Sequence, residues 1–285
     1  MTTRIRIIFF RCLLMRLSAR LRLVALMSAA AIATAPLASQ TDDGTTFRWS
    51  GRVVEGRFIR LHNMNGDIRV ERGAPGSPVE VVAERRVDKG DAKLVRFDLR
   101  MRDDGDVVIC ALWGLDMPCT DGGSRGTYSS RASWRNDQTN VTIRVRVPDG
   151  VKAFARSTNG SIAMDGLTSE IDAATTNGNV SVRTSGGLIN ATTTNGSVTA
   201  TLGDVAGDQP MRFSTTNGSV TVYAPPSLSA DLEMTTTNGG VVSDFPLTIN
   251  GSIRPNQLRA TLGAGGRTIV VRSTNGNVAL KRNVI

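Results

Sequence analysis

"STNGSIAM", residues 157–164, returns in closely related form as "TTNGNVSV", "TTNGSVTA", "TTNGSVTV", "TTNGGVVS" and "STNGNVAL". Asn159, Asn177, Asn195, Asn217, Asn238 and Asn275 each precede a glycine, at spacings of 18, 18, 22, 21 and 37. An earlier copy, "LHNMNGDIRV", sits at Asn65–Gly66, and "INGSI" supplies another pair at Asn250–Gly251. The 37-residue gap therefore holds either two shorter rungs or one rung with an insertion.

Aligning the copies on asparagine exposes a period of two. Six residues before it stand Ile59, Ala153, Ile171, Ile189, Met211, Leu232 and Ile269. Three residues after it stand Ile68, Ile162, Val180, Val198, Val220, Val241 and Val278. Apolar and polar residues alternate on both sides, so each copy predicts two half-buried strands joined by a tight turn in which Asn and Gly supply the backbone angles. At an inward parity two residues before the asparagine come Asn63, Ser157, Thr175, Thr193, Thr215, Thr236 and Ser273, small polar groups expected to bond to the neighbouring copy.

Two all-β architectures share this pattern: a β-solenoid with about 18–22 residues per coil (a single-stranded β-helix), and an antiparallel sandwich or meander of Asn-Gly hairpins. Parity cannot separate them. Repetition of identical residues favours the solenoid, because stacked coils bring like side chains together. The expected core is thin, built of Val, Ile, Ala and Thr.

Residues 1–40 hold six arginines, no acid, and then the apolar run "LVALMSAAAIATAPLAS" ending in small residues. That order predicts a signal peptide cleaved near residues 35–40, and a complete leader also begins at Met15. The apolar run is shorter than the roughly 20 residues a membrane span needs, so no stable transmembrane anchor is expected after cleavage. The formal net charge of +9 belongs mainly to the leader; without it 28 basic residues face 25 acidic ones, which removes the case for a nucleic-acid partner. The chain after the leader retains one cysteine pair, Cys110 and Cys119, which in an exported protein reads as a disulfide.

The chain after the leader, 41–285, divides into N-terminal strands (47–150) and the Asn-Gly repeats (151–285). Between the strands lies "GLDMPCTDGGSRGTYSSRASWRNDQTN", residues 114–140, a 27-residue loop with no strand period. Arg125, Tyr128, Arg131, Trp134 and Arg135 make it a candidate contact surface, since aromatic and guanidinium groups concentrate at binding hot spots. A second candidate face comes from the outward positions after each asparagine: Asn179, Ser181, Ser197, Thr199, Ser219 and Thr221.

No catalytic constellation, metal-ligand set or cofactor motif emerges. His62 is the only histidine, and "GAGGR" at 263–267 lacks a strand-to-helix setting. Glu170 with Asp172, and Asp231 with Glu233, are outward carboxylate pairs that a polysaccharide-active enzyme could exploit. In coil register Asn190 and Arg212 are expected between them. "DDGD" at 103–106 reads as a turn rather than a calcium loop.

"NGDI" at 65–68, "GDVVICALW" at 105–113 with the later Cys119, "VRVPDGV" at 145–151 and the run of "TTNG" corners together resemble a bacterial family of exported proteins known as "putative adhesin". The resemblance spans nearly all of residues 47–285. It implies a β-solenoid at the cell envelope, in the periplasm, on the surface or secreted. With no catalytic set in the chain, the function expected is a non-catalytic binding or scaffold module acting through the Ser/Thr face or the 114–140 loop, whose partner is an envelope component, a glycan or a protein. An envelope-stress accessory protein is the other non-enzymatic alternative. Where the family often writes Asp after the glycine, this protein has Ser161, Asn179, Ser197 and Ser219, which weakens any cation-binding role there.

Overall fold

The structure is a computed structural model that describes residues 38–114, 118–120, 138–205, 207–249 and 254–283. The N-terminal part forms β1 (Ala38–Asp42), β2 (Thr46–Gly51), β3 (Phe58–His62), β4 (Ile68–Arg72), β5 (Val79–Val87), β6 (Val95–Met101), β7 (Val107–Trp113) and β8 (Thr139–Val147). Repeats follow as pairs: β9 (Lys152–Asn159) with β10 (Ile162–Leu167), β11 (Ile171–Asn177) with β12 (Val180–Thr184), and β13 (Ile189–Asn195) with β14 (Val198–Thr201). Next come β15 (Met211–Asn217) with β16 (Val220–Ala224) and β17 (Ala230–Asn238) with β18 (Val241–Ser243). β19 (Thr248–Ile249) and β20 (Gln257–Leu262) then lead to a final pair, β21 (Thr268–Asn275) with β22 (Val278–Arg282).

The first member of each Asn-Gly pair joins one 11-stranded sheet and the second joins another, so every copy is one coil passing through both. Neighbouring coils run parallel and in register: Ile171 lies beside Ile189, Thr175 beside Thr193, and Val180 beside Val198. This is the β-solenoid, and the antiparallel meander of hairpins is overturned for the repeats. Among the described residues, antiparallel pairing occurs only at the ends of the stack, where β1, β2, β5 and β8 extend one sheet, β6 closes the other beside β7, and β20 and β19 cover β17.

Spatial order departs from sequence order. Asn65's coil stacks directly on Asn159's although 94 residues separate them. At the far end β21 pairs with β15 on one side and β17 on the other, so the last coil in sequence is intercalated between the two before it. The long gap before Asn275 thus holds one rung with an insertion, β19 and β20, rather than two shorter rungs. The backbone runs out to the terminal coil, reverses through β19 and β20, and returns to fill the vacant layer. Asn250–Gly251 lies outside the described residues.

The interior alternates as the period demands. Ile171, Ala173, Val180, Val182, Ile189, Ala191, Val198 and Ala200 are all buried, with Phe213 replacing the small residue in its layer. Aromatic filling concentrates at the N-terminal end, where Phe47 and Trp49 are buried and Phe47 stacks on Phe97 with ring centroids 4.4 Å apart. Each inward hydroxyl is satisfied by the coil beside it: Thr175, Thr193 and Thr215 donate to the carbonyls of Gly160, Gly178 and Gly196 at 2.8–2.9 Å. The acceptor is a glycine carbonyl rather than a neighbouring hydroxyl.

Candidate functional site

The Asn-Gly corners build three parallel ladders along one edge of the solenoid. Asparagine carboxamides form the first. Asn159 donates to Asn65, Asn177 to Asn159, Asn195 to Asn177, Asn217 to Asn195, Asn275 to Asn217 and Asn238 to Asn275, all at 2.7–2.8 Å and all pointing the same way. Glycine makes the second. Gly160, Gly178, Gly196, Gly218 and Gly276 have φ between +149° and +156°, and a Cβ on each would collide with the glycine carbonyl of the adjacent coil. The corner therefore requires glycine twice over, for its backbone angle and for close approach.

The third ladder uses the residue after each glycine. Asp67, Ser161, Asn179, Ser197, Ser219 and Asn277 each accept, through a side-chain oxygen, the backbone N–H of the equivalent residue one coil on, at 2.9–3.3 Å. Aspartate, serine and asparagine are interchangeable here because each places an acceptor oxygen within reach of that N–H. Asn179, Ser197 and Ser219 thus carry a structural bond, and only their remaining valences face outward.

Ser181, Thr199 and Thr221 stand in a different place. They are in register on β12, β14 and β16, with side chains on the outer face of their sheet, between Ala163 on one flank and Ala279 on the other. Adjacent members are one strand spacing apart, about 4.8 Å. The next row outward reads Asp165, Arg183, Thr201, Tyr223 and Lys281. Arg183 forms a two-pronged ion pair with Asp165 that holds this carboxyl below its usual range.

One repetitive feature of the edge escaped the sequence reading. The residue before every ladder asparagine except Asn65, at Thr158, Thr176, Thr194, Thr216, Thr274 and Thr237, is an exposed threonine, so a column of hydroxyls runs beside the carboxamide ladder. The signal was the second Thr of "TTNG", which the inward Thr at the first position overshadowed.

Cys110 and Cys119 are disulfide-bonded, with Cα atoms 5.8 Å apart. β7 pairs with β3 and β8 with β4, both parallel, so β7 and β8 form a further coil whose two strands are joined by a long sequence without Asn-Gly. Thr139 and Asn140, expected in the loop, are the first residues of β8 and pair with Val87 and Arg86. Cys119 packs against Val108, Cys110 and Leu112 on the outer face of β7. Arg125, Tyr128, Arg131, Trp134 and Arg135 lie outside the described residues.

The carboxylate pairs do not converge. Glu170 is bonded to Lys152 at 2.9 Å, and Glu233 pairs with Arg272 at 3.7 Å. Asp231 accepts from the Thr261 hydroxyl at 3.0 Å and from the Gly266 N–H at 3.2 Å. Burial pushes the Asp172 carboxyl above its usual range, partly opposed by Arg156. Between Asp172 and Glu233 the row reads Asn190, Arg212 and Val270, one layer more than expected, because β21 is inserted there. Asp106 of "DDGD" is buried and accepts from the Phe58 N–H at 2.9 Å and Arg60 Nε at 2.7 Å, which makes it a structural anchor. His62 is buried against Phe154, ring centroids 5.4 Å apart.

At the corner opposite the asparagines, Gly203, Asp204, Ser227, Ser229, Gly265 and Arg267 line an open groove of about 570 Å³. The "GAGGR" segment supplies one wall of it. Arg267 is buried there and donates to the Gly207 carbonyl, and burial lowers its pKa.

The model of the Toastrack DUF4097 family matches residues 124–281. The protein belongs to the Toastrack DUF4097 family. Its ladder of parallel coils is consistent with the solenoid-like fold of that family. Among solved structures it is similar to a "putative cell adhesion protein" from Clostridium sporogenes, at 12% identity over 86% of this chain and 100% of that one, TM-score 0.44. It is also similar to a "putative adhesin" from Bacteroides fragilis, at 11% identity over 84% of this chain and 97% of that one, TM-score 0.34. No curated protein matches the sequence.

Proposed function

We propose that this Toastrack protein is an exported, non-catalytic binding or scaffold module of the cell envelope. It engages a surface component, a glycan or a protein, through the outer face of the Asn-Gly array. The observation that carries the reading is the in-register row Ser181, Thr199 and Thr221, with Thr201 and Tyr223 in the next row. Hydroxyls repeated at the strand spacing on the outer face of a sheet suit a ligand that itself repeats, such as a linear glycan. The disulfide supports export to an oxidising compartment, because such bonds persist there. Among the described residues Glu170, Glu233 and Asp231 are engaged in separate ion pairs and hydrogen bonds, which supports binding without turnover.

A glycan array, read with the intact protein and with a Ser181→Glu/Thr199→Glu/Thr221→Glu variant, tests this. Binding by the first and its loss in the second are expected, with an unchanged far-UV CD spectrum. Binding that survives the triple substitution moves the contact elsewhere, and a pull-down from envelopes with residues 121–137 deleted, which spares Cys119 and β8, then asks whether the loop carries it. Product formation that disappears on Glu170 or Asp231 replacement would instead establish the polysaccharide-active alternative.

A further inference from the structure

An asparagine followed by glycine has the least hindered route to a cyclic imide. The glycine nitrogen attacks the carboxamide carbon of the asparagine, a new C–N bond forms, and the bond from that carbon to the amide nitrogen breaks to release ammonia. Water then opens the ring to leave aspartate or, by opening at the other carbonyl, isoaspartate. Nothing but water is consumed. The attack needs the glycine N–H out of its hydrogen bond, so that its proton can leave, and the carboxamide free to swing toward it.

Within the stack both requirements are blocked. The N–H groups of Gly66, Gly160, Gly178, Gly196, Gly218 and Gly276 each donate to the asparagine backbone carbonyl of the next coil, at 2.7–2.9 Å. Each interior carboxamide is held from both sides by the ladder. The terminal coil differs. No described residue accepts from the Gly239 N–H: the segment leading into β20 takes the N–H groups of Thr236 and Val241 on either side of it, through the Asn256 and Pro255 carbonyls, and passes Gly239 over. Asn238 donates to Asn275, but its own Oδ1 receives no ladder bond. Gly239 is exposed, whereas the other six glycines are half-buried or buried.

We propose that Asn238–Gly239 is a covalent modification site, at which the array deamidates through the succinimide while the six other described corners are kept inert by stacking. The consequence is local. Aspartate at 238 replaces the last ladder donor with a carboxylate facing the Asn275 Oδ1 acceptor. Isoaspartate adds a methylene to the backbone just before β18, the edge strand whose Val242 is already 55% exposed. Either product loosens the terminal coil and leaves the inner coils intact.

The test is peptide mapping by mass spectrometry after incubating the intact protein in mildly alkaline buffer, with a parallel sample in denaturant. In the folded protein, Asn238 is expected to convert on the order of tenfold or more faster than Asn65, Asn159, Asn177, Asn195, Asn217 or Asn275, the factor that one or two missing hydrogen bonds permit. In denaturant all seven should converge. Fragment ions between residues 238 and 250 separate this site from Asn250. An inner corner that keeps pace with Asn238 in the folded protein, or a lead for Asn238 that persists undiminished in denaturant, overturns the proposal.

Discussion

Gly196→Ala is the sharpest perturbation the corner geometry offers. Gly196 sits at φ +150°, a region that L-residues enter only under strain, and its added Cβ would lie 2.6 Å from the Gly178 carbonyl carbon. Carbon atoms attract best at about 3.5–4.0 Å, so the overlap is about 1 Å into backbone. That backbone is itself fixed, because the Gly178 carbonyl accepts from Thr193 and the Gly178 N–H donates to Asn195. Backbone strain of about 1–3 kcal/mol and a forced shift of about 1–3 kcal/mol together come to about 2–6 kcal/mol, a large part of the about 5–15 kcal/mol that holds a domain folded. Gly76→Ala is the control, since Gly76 also has positive φ (+71°) but nothing within 4 Å of the new Cβ, leaving about 1–2 kcal/mol of strain. Denaturant unfolding followed by far-UV CD is the assay. The expected result is a midpoint for Gly196→Ala well below that of Gly76→Ala, or no folded baseline at all. Equal midpoints would refute close packing of glycine on glycine.

Other consequences can be measured on the same footing. Asp172→Asn should raise stability at neutral pH, because the folded carboxyl has a raised pKa: the native state holds the proton more tightly, so stability falls as pH climbs through the unfolded and then the folded value. The gain should vanish in acid below the unfolded value, and a pH-independent effect would contradict this origin. Asp165→Asn should act oppositely, since Arg183 depresses that carboxyl; the stabilisation is present above the unfolded pKa and lost as pH falls through the folded one, so the variant's acid unfolding limb should flatten. Because the pair is largely exposed, the change should be small. Reducing Cys110–Cys119 should open the region after β7 to protease and leave 151–283 protected, whereas rapid digestion of the repeats would show that the disulfide braces the whole stack. Deleting residues 268–285 should cost the fold rather than one rung, because it separates β15 and β16 from β17 and β18; a shortened but cooperative solenoid would contradict the intercalation.

The repeats were legible in sequence because each corner imposes the same demand. Glycine is dictated by its neighbour's carbonyl, the inward Thr by that same carbonyl, and the apolar alternation by two sheets facing one core. The stacking of like on like made residue identity, and not only hydropathy, the informative signal. What stayed hidden follows from the same equivalence. Coils that match one another can be stacked in any order, so nothing in "TTNG" says that Asn275 sits between Asn217 and Asn238, or that Asn65 lies against Asn159. The role of Asn179, Ser197 and Ser219 was obscured because a side group that accepts from a neighbouring coil's N–H looks, in one dimension, like any polar residue on an exposed strand. Parity alone sets Ser181, Thr199 and Thr221 on the outward side of their strands, and only the register shows them as one row.

The order of the last coils is where a cross-link speaks most directly. Arg272 lies beside Ser214 on one side and Thr235 on the other, so Ser214 and Thr235 are two strand spacings apart. A disulfide needs Cα atoms roughly 4.4–6.8 Å apart, which one spacing of about 4.8 Å meets and two do not. Ser214→Cys with Arg272→Cys should therefore oxidise to a mapped disulfide, and Ser214→Cys with Thr235→Cys should stay reduced. Efficient bonding of 214 to 235, with none between 214 and 272, would mean that coils stack in sequence order and that the intercalated solenoid is wrong.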